Sequence, residues 1–226
     1  MSLSSKQRLR VLASYRGRGR ANSNLWLVYS VKTSRDWMLH SDRELVYWLS
    51  YLETNPAVAW FSFDDENSAG GDEARQITVN FTGARASVLL RNRPSVTSPE
   101  ELVGPTSEFT PTADVVLPGM SELSSDQLKQ RVPSAMRWLK AISFAAAIRD
   151  MELTNESAAL VSALRARGAG VLADIEADLA AFDPPTVYGL VVRMSIAGSL
   201  TLDLSHHPFC EATKWTTPDR ELHVVT

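Results

Sequence analysis

The chain has 226 residues, of which 44% are hydrophobic and 22% charged, and its formal net charge is -3. This composition is typical of a globular protein with one large domain or two small ones, and the charge excludes a generic polyanion binder. No apolar run reaches the roughly 18 residues of a membrane span, and the single cysteine excludes an intrachain disulfide, so we expect a cytoplasmic protein.

The positive charge is concentrated near the start of the chain. Residues 6–20 contain no acid and six basic side chains, which are Lys6, Arg8, Arg10, Arg16, Arg18 and Arg20. Such a composition predicts a basic, disordered arm over residues 1–23. Two roles for it stay open, a solvated tail and a segment that lies along phosphates.

The next segment, residues 24–153, contains several strand signals. Asn24–Thr33 and Ala57–Phe63 are rich in aromatic and branched residues, which favours strands. After an acidic, glycine-containing turn, "QITVNF" and "ASVLLRN" are typical of a hairpin.

A helix is predicted between the first two strands, over "SDRELVYWLSYLETNP". Ser41 stands at the N-cap position and Pro56 follows the end. The apolar residues at helical spacing are Leu45, Trp48, Leu49 and Leu52.

Residues 94–133 are rich in Pro, Ser, Thr and Glu and predict a long irregular stretch, with a short helix over "SSDQLKQRV". A longer helix follows from Ser134 to Arg149, and "MELT" fits a last strand. Residues 24–153 therefore indicate an α/β unit.

The tail, residues 154–226, has a different pattern. "NESAALVSALRARG", "AGVLADIEADLAAFD" and "TVYGLVVRMSIAG" predict three helices, the first closed by Gly168 and the third by Gly198. "SLTLDL" and "ATKWTT" predict two strands. This order is typical of a winged helix, with a domain boundary near Leu153–Ser157.

The segment "HSDRELVYWLSYLETNPAVAWF" resembles the start of the TnsA-type endonuclease subunits of heteromeric transposases. Further pieces, "TVNF", "VLLR", "FAAAIRDMELTNE", "GSLTLDL" and "EATKW", are similar to later motifs of that family in the same order, over roughly residues 28–217. The resemblance implies an α/β restriction-endonuclease-like domain at 24–153 followed by a small α+β winged-helix domain at 154–226. It also implies DNA and a transposase or ATPase-type regulator as partners, and no membrane.

The family's chemistry is phosphodiester hydrolysis with Mg²⁺ held by carboxylates and a Lys nearby. Glu44 matches the helix Glu, and it equally completes a capping box with Ser41, which we favour. Asn80 and Leu89 stand where the family has metal ligands, and Arg91 stands where it has the Lys. Leu89 offers no oxygen, so the resemblance implies a vestigial site, a pseudo-nuclease and no cofactor.

An active enzyme stays open as an alternative. It would need Mg²⁺ and relocated ligands, with Glu44 joined by Asp64 or Asp65 of the adjacent acidic turn, which also contains Glu66, Asp72 and Glu73. A second alternative is a scaffold or interaction protein without a nucleic-acid role. For DNA contact we name five arginines: Arg16, Arg18, Arg20, Arg91 and Arg93.

The third helix of the tail is too apolar to read a DNA groove well. Only Thr186, Tyr188, Arg193 and Ser195 could reach bases, which favours core or a protein partner. His206, His207 and Cys210 lie close in sequence, but adjacent histidines rarely hold one ion and no second cluster exists, so we predict no zinc site.

Overall fold

A computed structural model describes residues 4–16, 24–63, 74–81, 84–91, 120–122 and 125–218. Among the helices of these residues, none is long and apolar enough to cross a bilayer.

The chain begins with helix α1, Ser5–Arg16, where the sequence predicted a disordered arm. That prediction was wrong for these residues, and Ser4 and Gln7 supply one physical reason. The Gln7 amide donates to Ser4 Oγ at 3.4 Å and the Ser4 amide donates to Gln7 Oε1 at 2.9 Å, which forms a capping box. The helix packs beside the chain's first hairpin, because the Arg8 guanidinium forms an ion pair with the buried Asp36 carboxylate.

That hairpin consists of β1, Trp26–Ser30, and β2, Arg35–Leu39, paired antiparallel. The sequence predicted the first strand but not the second. Ser34 in the turn has a φ of 48°, a left-handed conformation that non-glycine residues adopt rarely.

The predicted helix after Ser41 is present but changes type along its length. Helix α2 covers Asp42–Tyr47 and continues as a π-helix over Trp48–Glu53. Ser41 is its N-cap, as predicted, with its Oγ accepting from the Glu44 amide at 3.2 Å. The π-helix buries Trp48 and Glu53 almost completely, so the apolar face predicted here lies in the core.

A four-stranded sheet follows, in the order β3-β4-β5-β6. Strands β3 (Val58–Ser62), β4 (Ala74–Phe81) and β5 (Ala84–Arg91) are antiparallel, which confirms the predicted strand and hairpin. Strand β6, Met120–Glu122, pairs parallel to β5 and lies in a stretch that was predicted to be irregular.

Helix α3 runs without a break over Ser125–Ala147 and contains Pro133. It merges the two helices that the sequence predicted. Pro133 is exposed, so the single hydrogen bond that a proline removes is lost where water can replace it. The strand predicted at "MELT" is absent: residues 151–153 are irregular and the next helix begins at Thr154.

The C-terminal segment comprises α4 (Thr154–Arg167), β7 (Ala169–Val171), α5 (Leu172–Asp178), α6 (Pro184–Ile196), β8 (Thr201–Leu202) and β9 (Lys214–Thr216). The three predicted helices and two strands are present, and β7 replaces the first turn of the predicted second helix. Gly168 and Gly198 follow α4 and α6 with φ of 73° and 77°, the left-handed conformation of a glycine at a helix end.

Buried side chains from both segments form one continuous hydrophobic cluster, since α3 packs along α6. Gly189 makes this packing close: a Cβ there would lie 2.8 Å from the Phe144 carbonyl oxygen and 2.9 Å from Ile148 Cδ1. The C-terminal segment also contains a three-stranded sheet, in the order β7-β9-β8.

Candidate functional site

Glu44 is used as a helix cap. Its side chain is 1% exposed, and Oε2 accepts a hydrogen bond from the His40 amide at 2.8 Å. Its own amide donates to Ser41 Oγ. One hydrogen bond to the Glu44 side chain and one from its backbone therefore fix the conformation at the start of α2. A carboxylate in the first turn also interacts favourably with the helix dipole. The capping role that the sequence favoured is present, although the carboxylate reaches the amide of His40 instead of that of Ser41.

Asn80 lies on β4, opposite Trp60 of β3 and Arg85 of β5. Its Oδ1 is buried and has no hydrogen-bond partner within the described residues. A buried polar atom without a partner is uncommon and needs an explanation. Among the four vestigial positions, Asn80 therefore has a side-chain oxygen that could still accept a hydrogen bond.

Leu89 and Arg91 lie away from Asn80, towards the other end of the hairpin. Leu89 faces Gln76 across the ladder, and Arg91 faces Ala74. Gln76 is four residues from Asn80, which corresponds to about 14 Å at roughly 3.4 Å per residue. The strand register therefore separates the position of Asn80 from those of Leu89 and Arg91, whereas metal ligands must converge on one ion.

This arrangement does not fit a Mg²⁺ ion. Mg²⁺ requires oxygen ligands at about 2.0–2.1 Å in octahedral geometry. Glu44 is committed to the backbone, and the register keeps Asn80 and Leu89 apart. The acidic turn of the alternative, with Asp64, Asp65, Glu66, Asp72 and Glu73, lies outside the described residues.

No group of three or more His, Cys, Asp or Glu side chains in the described part of the chain is arranged to hold a metal ion. His206, His207 and Cys210 are exposed in the loop between β8 and β9.

The polar side chains of α6 are engaged inside the protein. Thr186 is 7% exposed and donates to Asp183, the N-cap residue. Arg193 Nε donates to the Ala145 carbonyl of α3 at 3.3 Å, and burial lowers the pKa of its guanidinium. Ser195 is also 7% exposed.

Tyr188, the fourth of these side chains, donates its hydroxyl to the Glu176 carboxylate of α5. All four candidate base-reading residues of α6 are therefore buried or bonded within the chain, and α6 packs on α3. In this conformation α6 does not present a reading surface for a DNA groove.

The arginines predicted to contact DNA are only partly described. Arg16 ends α1 and Arg91 ends β5, whereas Arg18, Arg20 and Arg93 lie outside the described residues. On α1, Lys6 and Arg10 are exposed and lie one helical turn apart.

A buried polar cluster that the sequence did not predict joins the first hairpin to the π-helix. Glu53 is fully buried and accepts from Ser30 Oγ and from the Val31 amide, both at 2.6 Å. Lys32 Nζ donates to the Leu52 carbonyl at 2.9 Å and to that of Asn55.

The electrostatics of this cluster follow from its burial. Desolvation raises the pKa of the Glu53 carboxyl, opposed by the bonds from Ser30 and Val31 and by the charge of Lys32. Desolvation lowers the pKa of Lys32 to about 8, opposed by Glu53. No sequence signal pairs these residues, because each stands in a segment whose pattern predicts ordinary secondary structure.

The chain matches no protein-family profile, no curated protein and no solved structure.

Proposed function

We propose that this chain is a TnsA-like subunit of a transposon or mobile-element nucleoprotein complex, acting as a pseudo-nuclease. It binds DNA and docks on a transposase or regulator protein without cutting the DNA itself. The proposal comprises a restriction-endonuclease-like fold for residues 24–153 and a winged helix for residues 154–226.

The observation that carries the pseudo-nuclease part of the proposal is the use of Glu44. Its carboxylate is buried and accepts from the His40 amide, so it serves the fold. The offset of Asn80 from Leu89 in the hairpin adds to this, since the two positions cannot reach one ion. Both observations favour a structural role over metal-dependent hydrolysis.

The C-terminal topology supports the winged-helix part of the proposal. Its elements follow the order helix, strand, helix, helix, strand, strand, and the three strands form one antiparallel sheet. Because α6 is turned towards α3, this unit has an architectural role and leaves DNA contact to the basic segment.

A nicking assay tests the loss of catalysis. Supercoiled plasmid is incubated with the full-length protein and Mg²⁺ or Mn²⁺, beside Glu44→Gln and the exposed control Glu152→Ala. We expect no nicking from any of the three. Nicking by wild type and Glu152→Ala but not by Glu44→Gln would establish the active endonuclease instead. Gln is chosen because its side-chain oxygen can still accept the hydrogen bond from His40, so the substitution removes the charge and keeps the cap.

One observation favours the active alternative. Asn80 Oδ1 is buried without a partner in the described residues, and an amide oxygen is able to ligate Mg²⁺. Binding of Mn²⁺, followed by its paramagnetic relaxation of nearby nuclei, distinguishes the two. We expect no saturable effect at Asn80, and a saturable effect lost in Asn80→Ala would support the enzyme.

DNA binding separates the proposal from the scaffold alternative. Lys6 and Arg10 are exposed on α1, so we expect salt-dependent binding to duplex DNA that weakens when both become Ala. Each lost phosphate contact lowers the slope of log affinity against log salt by about 0.9. The exposed Lys129→Ala serves as the control. Absence of salt-dependent binding by the wild type would favour the scaffold, and an unchanged slope in the double variant would assign the phosphate contacts to residues other than Lys6 and Arg10.

A further inference from the structure

A pocket of about 410 Å³ opens between α3, α6 and the loop that precedes β9. Phe144, Tyr188 and Phe209 form its aromatic wall, with ring centroids 5.6–5.7 Å apart. Phe209 is buried, whereas the other two rings are partly exposed. The volume lies within the range of sites that accept a small molecule or a single side chain.

The charges around this pocket have a definite arrangement. Lys140 and Glu211 also line it, and both are exposed. Among the described residues neither has an ion-pair partner, so they do not neutralise each other. Glu176 accepts the Tyr188 hydroxyl.

The pKa of the Tyr188 phenol is affected by the charged groups around the pocket. It is raised first by burial, then by the hydrogen bond to Glu176 and by the charges of Glu176 and Glu211. Two carboxylates therefore lie close enough to the phenol to disfavour a further negative charge there.

We propose that this pocket binds a basic side chain, preferentially arginine, of a partner protein. Aromatic faces attract cations through their quadrupole, and arginine also stacks on them. Glu211 supplies a carboxylate that the guanidinium can bind with two hydrogen bonds. An anionic side chain would meet Glu176 and Glu211, and an aliphatic one would leave the Glu211 carboxylate without a partner.

Lys140 opposes this ligand, which gives the proposal a distinctive consequence. A cation in the pocket is repelled by the Lys140 ammonium and attracted by Glu211. Removal of Lys140 should therefore strengthen binding, and removal of the Glu211 charge should weaken it. An anionic ligand would show both effects with the opposite sign.

The proposal rests on the docking part of the proposed function, for which it names the surface and the chemistry of the partner. It is independent of the DNA contact, because the pocket is lined by α3, α6 and the loop that precedes β9, whereas the exposed basic residues lie on α1.

The test is a ¹⁵N NMR titration of the full-length protein with three blocked tripeptides, Gly-Arg-Gly, Gly-Leu-Gly and Gly-Glu-Gly. We expect saturable shifts at the Tyr188 and Glu211 amides with the arginine peptide, and weaker binding of the other two. Glu211→Gln should weaken the arginine peptide roughly two- to fivefold, and Lys140→Ala should strengthen it by a similar factor.

Three results would overturn the inference: no saturable shift with any peptide, equal or tighter binding of the leucine or glutamate peptide, or weaker arginine binding in Lys140→Ala. Both substituted residues are exposed, so the variants should keep the wild-type spectrum outside the pocket. DNA binding, measured on the same variants, should be unchanged. Loss of peptide binding with DNA binding intact rejects the pocket alone, and the reverse rejects the DNA-binding function alone.

Discussion

At the scale of single residues, Glu53 is the carboxylate most deeply committed to the fold. It has no exposure and accepts from Ser30 and Val31, so it joins the end of the π-helix to the turn after β1. Lys32 fastens the same junction by donating to the Leu52 carbonyl. A buried polar cluster of this kind is stable only while its members remain bonded to one another.

Replacing Glu53 with Ala is predicted to lower the free energy of unfolding by about 2–5 kcal/mol, because each buried donor left without an acceptor costs about 1–3 kcal/mol. The substitution leaves the Ser30 hydroxyl and Val31 amide without this acceptor and removes the charge that faces Lys32. Urea unfolding measures the effect, and Glu53→Gln, which keeps an oxygen, should cost less. A loss no larger than that of the exposed Glu152→Ala would show that the cluster contributes little.

The depressed pKa of Lys32 predicts a pH dependence of stability. Its native pKa of about 8 lies below the 10.5 of an exposed lysine, so between these values the unfolded chain binds more protons than the native one. Stability linked to Lys32 should therefore rise with pH across this window.

The comparison is between wild type and Lys32→Met, both unfolded in urea at a series of pH values. The raised pKa values of Tyr47 and Tyr188 also lower stability above about pH 10. Because both proteins contain these tyrosines, subtracting the two curves removes their contribution. Parallel curves from pH 8 upwards would contradict the prediction.

At the scale of elements, Arg8 joins α1 to the first hairpin. Arg8 forms an ion pair with Asp36, whose side chain is 1% exposed, and also donates to the Leu27 carbonyl at 3.3 Å. Most other described side chains of α1 are exposed, including Leu9 at 69%. Among the described side chains of α1, Arg8 therefore provides a clear anchor to the hairpin.

Arg8→Ala is predicted to release α1 from the hairpin. Amide hydrogen exchange over Ser5–Arg16 should accelerate about tenfold or more, since a hydrogen bond to a charged group contributes about 1.5–3 kcal/mol. Arg10→Ala is the matched control, because it removes the same charge from an exposed position on the same helix. Equal exchange in the two variants would mean that Arg8 is not the anchor.

Sequence signals predicted the elements whose causes are local. The strand sequence "QITVNF", the Ser41 cap and the glycines after α4 and α6 all act within a few residues, and each has the predicted outcome in the structure. The basic composition of residues 6–20 hid the Ser4–Gln7 capping box, which is equally local and was available in the sequence.

Features that depend on distant partners could not be predicted. Strand β6 has three residues and exists only through pairing with β5, more than 25 residues earlier in the chain. The Arg8–Asp36 pair, the Glu53 cluster and the register that separates Asn80 from Leu89 are set by tertiary packing. The candidate site was named from the order and spacing of motifs, which do not show whether the side chains converge.

At the scale of the whole molecule, the contact between α3 and α6 couples the two segments of the chain. Gly189 brings the helices together where a Cβ would lie 2.8 Å from the Phe144 carbonyl oxygen. The same contact buries the helix that a winged-helix protein would place in DNA. One contact therefore both joins the two segments and covers a face of α6.

Gly189→Ala is predicted to destabilise the whole chain by about 1–3 kcal/mol, because the added methyl group overpacks the interface. Helix propensity alone would give the opposite sign, a gain of about 1 kcal/mol. Thermal unfolding followed by far-UV circular dichroism and by tryptophan fluorescence measures it, and both signals should shift together. A shift confined to one signal would mean that the two segments unfold independently.

In the π-helical segment Trp48–Glu53 each hydrogen bond spans one residue more than in an α-helix, so its turn contains an additional residue. Shortening an ordinary helix such as α4 by one residue turns everything beyond it by about 100°. Here the surplus residue can be excised: deleting Ser50, whose buried hydroxyl is unbonded in the described structure, should relax the segment to α-helical geometry with Glu53 still directed at Ser30. Urea unfolding of that variant should show a smaller loss of stability than the same excision in α4, and an equal loss would mean that the extra residue is required.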